Sequence, residues 1–362
     1  MTIITNATAL LADIAVETDR TDAVQSFVKQ ETILVRLTTA DGIEGTGYAY
    51  TIGTGGTSVL ALLRDHLLPL LAGKDARNVE GLWQELFGLT RATTTGAITS
   101  LALAAIDTAL WDLRCKRAGE PLWRLAGGHR RQVPVYDTEG GWLHLGTEDL
   151  VKSALAARNA QWAGVKIKVG KPHVAEDAER LRAVREAVGP SLHIMTDANQ
   201  SQSLSSAVQL AAALEPYDPY WLEEPMPADD LSGHARLARS TRIPIAVGES
   251  MYSPMQFRNY LETGAASVVQ VDVARVGGIT PWLKVAHLAE TFNVKVCPHF
   301  LMELHVSLVA AVSNGAYVEY IPQLRAVTRT ELTLRDGQAV APDEPGIGID
   351  WDMDAIDDRR AS

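Results

Sequence analysis

Three acidic residues, Asp197, Glu223 and Glu249, recur at two equal steps of 26 residues. Each closes a short apolar run (SLHIMTD, PYWLEE and IPIAVGE) with the length and composition of a β-strand. Carboxylates supply hard oxygen ligands. Three of them, with no histidine or cysteine in the set, favour Mg²⁺ over zinc, with Mn²⁺ the other cation they suit. The competing reading is three unrelated acids capping the helices that follow strands. It weakens once the neighbouring strand ends are read the same way.

In chain order those ends carry Lys166 and Lys168 in VKIKVG, then the three acids, Asp272 in VVQVD, His299 in KVCPHF and Glu319 in YVEYI. Strand interiors are otherwise apolar, so charges kept to one end require a reason. Lys166 and Lys168 stand two apart and share one strand face, with Ile167 on the other. Two ammonium groups and a cation in one cavity are expected to depress each other's pKa, which leaves one lysine as a neutral base. Asp272 beside His299 would fix the imidazole tautomer and raise its basicity, giving a second acid/base across the cavity. Glu319 would hydrogen-bond a substrate oxygen or position another polar group, and Asn199 would add a neutral donor beside the metal. Glu224, directly after Glu223, falls on the opposite strand face and reads as structural. The chemistry such a set serves is removal of a proton from the carbon next to a carboxylate, with the resulting enediolate charge stabilised by the cation.

These groups must be held at one mouth. From Val133 onward, apolar strands near 133–136, 164–169, 192–197, 220–223, 244–249, 268–272, 295–299 and 317–319 alternate with amphipathic helices such as Val174–Val188. Eight strands with helical crossovers predict a closed parallel barrel of the (β/α)₇β TIM type. A doubly wound open sheet is the runner-up, but no glycine-rich dinucleotide fingerprint opens the first unit. Upstream, residues 3–50 are β-rich, with TILVRLT and GTGYAY forming a hairpin. Helical periodicity follows at 57–72 and 78–88, and a long helix runs from about Thr99 to Ala118 before Gly119. The chain divides into an α+β capping domain over 1–127, the barrel over 128–321, and a segment over 322–362 that packs back on the capping domain and completes it.

Composition sets the outer bounds. The 362 residues exceed the roughly 250 of a lone barrel. A formal charge of −11 excludes the basic footprint nucleic acid demands, and no run approaches the ~18 apolar residues of a membrane helix. Cys115 and Cys297 show no disulfide or zinc spacing and read as buried free thiols. The N-terminus carries early acids and no basic run, so no signal peptide is expected and the location reads as cytoplasmic.

The pieces VKIKVG, MTDANQ, WLEEP, VGES, VDVARVGG and CPHF, in that order, resemble the enolase superfamily, mandelate racemase subgroup. The resemblance covers nearly the whole chain, including ALAAIDTALWDLRCK near the start and PGIGIDW near the end. It implies that Asp197, Glu223 and Glu249 hold Mg²⁺, that Lys168 is one base with Lys166 beside it, and that His299–Asp272 is the other acid/base. It further implies Glu319 as a donor to the substrate carboxylate and a symmetric homo-oligomer. One departure is Val271, where many members carry proline; it bears on loop rigidity. The stretches GYAYTIGTGG, ARVGGITPWLK and PHFLMELHVSLVAA look most like acid-sugar dehydratases acting on aldarates such as galactarate or L-talarate. A racemase or epimerase, a cycloisomerase, or a silent metal-binding paralogue are the alternatives, since one fold serves many reactions. Specificity is expected in two capping-domain loops, Asp19–Lys29 and Tyr50–Ser58, with Lys29, Arg275 and His305 as candidates to meet distal groups of the substrate.

Overall fold

A computed structural model describes residues 2–93 and 96–361 of the chain. The N-terminal part is an antiparallel sheet of β1 (Ile4–Ala15), β2 (Lys29–Thr39) and β3 (Glu44–Thr51). Against it lies a helix over Ala97–Ala118, buried along most of its length and closed by Gly119 at φ +69°. That left-handed cap is a conformation glycine adopts at little cost. The predicted helix over 57–72 is regular only across Gly56–Leu62 and then changes pitch twice before Leu71. Pro69 lacks the N–H that a regular helix would use there.

The alternation in GTGYAY sets which way the sheet faces. A Cβ on Gly45 would lie 2.4 Å from the carbonyl of Ala109, and one on Gly47 would lie 2.2 Å from that of Ala105. The strand therefore lies flush on the long helix only because both positions lack side chains. Tyr48 and Tyr50 alternate with the glycines and point to the opposite face. Tyr48 meets Trp351 of the C-terminal segment edge-on, and Tyr50 reaches the barrel.

The barrel is built from β4 (Gln132–Asp137), β5 (Gly164–Lys168), β6 (His193–Asp197), β7 (Trp221–Glu223), β8 (Ile245–Val247), β9 (Val268–Val269), β10 (Lys295–Val296) and β11 (Val318–Tyr320). Neighbours from β4 to β10 pair in parallel. β11 pairs with β4, and Val296 bridges to Gly315 just ahead of β11, which closes the ring. Closure rules out the open-sheet alternative. Several strands stop short of the expected ends, so Glu249, Asp272 and His299 stand two or three residues past their ladders.

The C-terminal segment does more than return to the capping domain. Its hairpin, β12 (Leu334–Arg335) and β13 (Gln338–Val340), adds antiparallel to β4 on the barrel wall. The chain then reaches the first sheet, where Ala361 N–H donates to the Leu11 carbonyl. The two cysteines are free and buried, as expected.

Candidate active site

Below the mouth, Tyr136, Met195, Trp221, Ala246, Val268 and Cys297 fill the barrel interior as an apolar plug. Above it, Asp197 and Glu223 end β6 and β7, and Glu249 follows Gly248 after β8. Gly248 sits at φ +145°, and a Cβ there would come within 2.8 Å of both the Gln270 backbone and the Phe257 ring. Only glycine lets the chain turn Glu249 inward at that point. The three carboxylates are almost wholly buried, and one oxygen from each lies within 4.8 Å of the other two.

These oxygens are incompletely served by donors. Asp197 accepts from Lys168 Nζ at 2.5 Å and from the Asn199 N–H at 2.9 Å. Glu223 accepts from Lys166 Nζ and from Trp221 Nε1, each at 3.0 Å. Glu249 Oε2 and Asn199 Oδ1 are buried with no hydrogen-bond partner among the described residues. Burial, and then the like charges of Asp197 and Glu249, hold the Glu223 carboxyl well above its ordinary range. Three like charges and an orphaned buried oxygen are the signature of a place for a hard cation. The residues fit Mg²⁺, and Asp197, Glu223 and Glu249 would hold it. Mg²⁺ at ~100 times its Kd adds about 2.7 kcal/mol to stability. Glu249→Ala is expected to erase that increment in thermal melts with and without EDTA, while leaving the EDTA melt unchanged or slightly raised.

Lys168 and His299 bracket the triad. Lys168 contacts Asp197 on one flank, and His299 Nε2 lies 3.4 Å from Glu249 Oε2 on the other. The His299 ring is oriented from behind, with Nδ1 at 2.9 Å from Asp272 Oδ2. Asp272 Oδ1 accepts the N–H groups of Ala274 and Arg275, which ties its own turn. Burial opposes its ionisation, but His299, followed by Arg275, overcomes that and holds the carboxyl down at about 2. Phe300 and Leu301, directly after His299, both have positive φ, at 62° and 28°. Such backbone is rare outside glycine and is found at functional sites.

The lysines depart from expectation in sign. Burial lowers both, but Glu223 and Glu319 around Lys166, and Asp197 beside Lys168, outweigh it and raise both ammonium groups above their ordinary range. The carboxylates dominate the two positive charges; a cation among those carboxylates is what offsets their pull. Lys166 lies 2.8 Å from Glu319 Oε1, which also accepts from the Thr138 hydroxyl, while Glu319 Oε2 accepts from the Phe300 N–H. Glu319 is held well below the usual carboxylate range, with the Lys166 charge the largest of the lowering influences against burial. In this arrangement it is an acceptor, where the resemblance implied a donor.

The candidate specificity residues separate. Arg275 is inside the site: Nη1 donates to the Glu249 carbonyl at 3.0 Å, and the guanidinium lies over the Tyr50 ring. Lys29 is held in the capping sheet by Asp13 at 2.7 Å and Glu31 at 3.5 Å. His305 is fully buried, with one ring nitrogen at the Phe300 carbonyl and the other accepting the Val273 N–H, so it meets no substrate. Glu224 accepts from Ser250 and is structural, although a positive φ of 32° breaks simple strand alternation there. The loop 19–29 does fold over the mouth. Phe27 packs on Trp142, whose ring lies 5.3 Å beneath Lys168 Nζ, and Arg20 anchors the loop to Glu139 and Gln323. Burial raises the Asp22 carboxyl in this loop, and the nearby charge of Lys168 works against that rise. Tyr50 opens the second loop expected to set specificity, but sequence alone assigns it no individual role; its hydroxyl donates to Asp272 at 2.7 Å.

A closed parallel barrel whose mouth holds three buried carboxylates between a lysine and a carboxylate-held histidine defines an enzyme class that abstracts the proton α to a carboxylate. Residues 11–127 match the mandelate racemase / muconate lactonizing enzyme N-terminal domain, and residues 149–355 match the enolase C-terminal domain-like family. The chain belongs to the enolase superfamily, in its mandelate racemase subgroup. It is 36% identical over 88% of its length to L-talarate/galactarate dehydratase of Salmonella typhimurium, covering 79% of that protein. It is 37% identical to 3,6-anhydro-alpha-L-galactonate cycloisomerase of Streptomyces coelicolor, covering 90% of each chain. The Salmonella dehydratase liganded with Mg and L-lyxarohydroxamate superposes at a TM-score of 0.94, with 33% identity over 99% of this chain and 93% of that one. Among the described residues no helix is long and apolar enough to cross a membrane.

Proposed function

We propose that this protein is a Mg²⁺-dependent acid-sugar dehydratase. The observation that carries the reading is the placement of two proton-transfer groups, Lys168 and His299, at opposite flanks of one carboxylate triad. A cation in that triad supplies positive charge for the substrate carboxylate and for the charge that builds on it. Lys168 Nζ takes the α proton, and the electron pair moves into the carboxylate to give the enediolate. As that pair returns to form the α,β double bond, the β-hydroxyl departs with a proton from His299 Nε2 and leaves as water. The enol then tautomerises to a 2-keto-3-deoxy acid. Asp272 stabilises the imidazolium from which the proton comes.

Galactarate and L-talarate are the first substrates to test, since the dehydratase relative is named for them. A second reading, cycloisomerisation of a sugar-acid derivative, is supported by the cycloisomerase relative at 37% identity. It uses the same α-carbon chemistry without loss of water.

The test is a panel of aldarates, aldonates and anhydro-sugar acids with Mg²⁺ in D₂O. A 2-keto-3-deoxy product with turnover abolished by EDTA is the expected result. Deuterium entering the α position of an isomerised substrate, with no loss of water, shifts the assignment to an isomerase. No exchange and no product across the whole panel sinks the proposal.

A further inference from the structure

The Asp272–His299 pair is a triad whose third member comes from the other domain. Asp272 Oδ2 receives the Tyr50 hydroxyl at 2.7 Å and faces His299 Nδ1 at 2.9 Å. Tyr50 lies near the end of β3 in the capping sheet, 222 positions away in sequence, and is only 2% exposed. Its ring stacks on Phe300 with centroids 4.6 Å apart, and Phe300 in turn stacks on His299 at 5.1 Å. Arg275 lies over the Tyr50 ring, with its Nε 3.9 Å from the same Asp272 oxygen.

We infer that Tyr50 is a positioning residue: through Asp272 Oδ2 it sets the orientation and hydrogen-bond strength of His299, so that the acid/base on this flank is assembled only when the capping sheet is docked. Packing alone does not require the hydroxyl. Tyr48, two residues earlier on the same face, is equally buried and its hydroxyl has no hydrogen-bond partner among the described residues. The sheet tolerates an unpaired phenol there, whereas at Tyr50 the phenol is spent on the carboxylate that holds the histidine. Two donors on one oxygen compete for its lone pairs, so the Tyr50 bond weakens the bond Asp272 can offer His299 and restrains rotation of the carboxylate. Burial raises the Tyr50 phenol well above its ordinary range, which keeps it a donor.

The inference rests on His299 acting in the reaction proposed above, and the test separates the two. Tyr50→Phe keeps the ring stack and removes the donor. The expected loss is ~10–100-fold in dehydration kcat, the usual cost of removing an outer hydrogen-bond partner, with KM within threefold. Exchange of the α proton by Lys168 continues at the wild-type rate. In a His299→Asn background, Tyr50→Phe costs nothing further in that exchange. Independently of any substrate, the His299 Nδ1–H resonance of ¹⁵N-histidine-labelled protein, assigned by its disappearance in His299→Asn, moves downfield in Tyr50→Phe as the shared oxygen is released. If the resonance stays in place, or if Tyr50→Phe slows α-proton exchange in either the single or the double variant, the inference is overturned. Wild-type protein inactive on every acid sugar overturns the proposed reaction instead and leaves the resonance to judge Tyr50.

Discussion

Lys168→Ala is expected to lower turnover of the true substrate by ~10²–10⁴-fold, the range a positioned general base contributes. It should also abolish entry of solvent deuterium at the α carbon. The argument is geometric. Lys168 is the side chain on the Asp197 flank whose Nζ reaches the triad without being shared among several carboxylates. Lys166, two residues away, sits among Glu223, Glu319 and Asp197 at 3.0, 2.8 and 3.6 Å. Lys168 has one close partner, Asp197 at 2.5 Å, and the Trp142 ring beneath it. A lysine with one strong partner can be released as a base once a cation shares that partner's charge. One with three is held as an ammonium group that binds. The variant should keep its Mg²⁺-dependent rise in melting temperature, since no triad carboxylate is lost. A Lys168→Ala protein that retains its Mg²⁺ response and more than a tenth of wild-type turnover would overturn the assignment of this residue as the base.

The contents of the site were legible because a barrel repeats one structural unit. Equal spacing of Asp197, Glu223 and Glu249 reflects one strand, one helix and two loops per step, and period-two alternation told which lysines share a face. What that logic could not reach is whatever the chain does after the ladder ends. Glu249, Asp272 and His299 lie beyond their strands, where Gly248 and the positive-φ pair Phe300–Leu301 redirect the backbone. Alternation carries no information there. The sign of the lysine shifts was also out of reach, because it depends on how many carboxylates surround each ammonium group and at what distance, and not on the lysines being adjacent.

The capping domain was the less legible half for a related reason. The hairpin and long helix followed from pattern, but contacts between domains leave no local signal. Lys29 and Arg275 looked alike as cations in regions near the mouth. Only the fold shows one tied to Asp13 in the sheet and the other over Tyr50 beside the dyad. The pairing of β13 with β4 is the same kind of surprise, since a three-residue strand has no periodicity to read. Part of this is written in GTGYAY, where glycines on one face of a strand force the tyrosines between them onto the other, but only the fold shows that it is the Tyr50 hydroxyl that meets Asp272.

Asp272→Asn puts the two halves of the site to the hardest test. Each carboxylate oxygen of Asp272 is surrounded by donors: His299 Nδ1 and Tyr50 Oη at Oδ2, and two backbone N–H groups at Oδ1. An asparagine has one acceptor oxygen and one NH₂. If the NH₂ takes the Oδ2 position it faces two donors, and the imidazole must move its proton to Nε2 or rotate away. If it takes the Oδ1 position, the turn that carries Arg275 loses both of its bonds. In either case dehydration is expected to fall by ~10²–10⁴-fold, while Lys168 continues to exchange the α proton, so deuterium should accumulate in unreacted substrate. Parallel loss of exchange and dehydration would count against separate roles for the two flanks. Stability carries its own signature. The folded-state carboxyl titrates at about 2 against an ordinary 3.8, so its depressed pKa contributes stability at pH values above 3.8 that is lost as pH falls through 2. The gap between wild-type and variant unfolding free energies should thus be open at pH 7 and narrow steadily between pH 4 and pH 2. A gap unchanged over that window would mean that His299 and Arg275 do not hold Asp272 ionised.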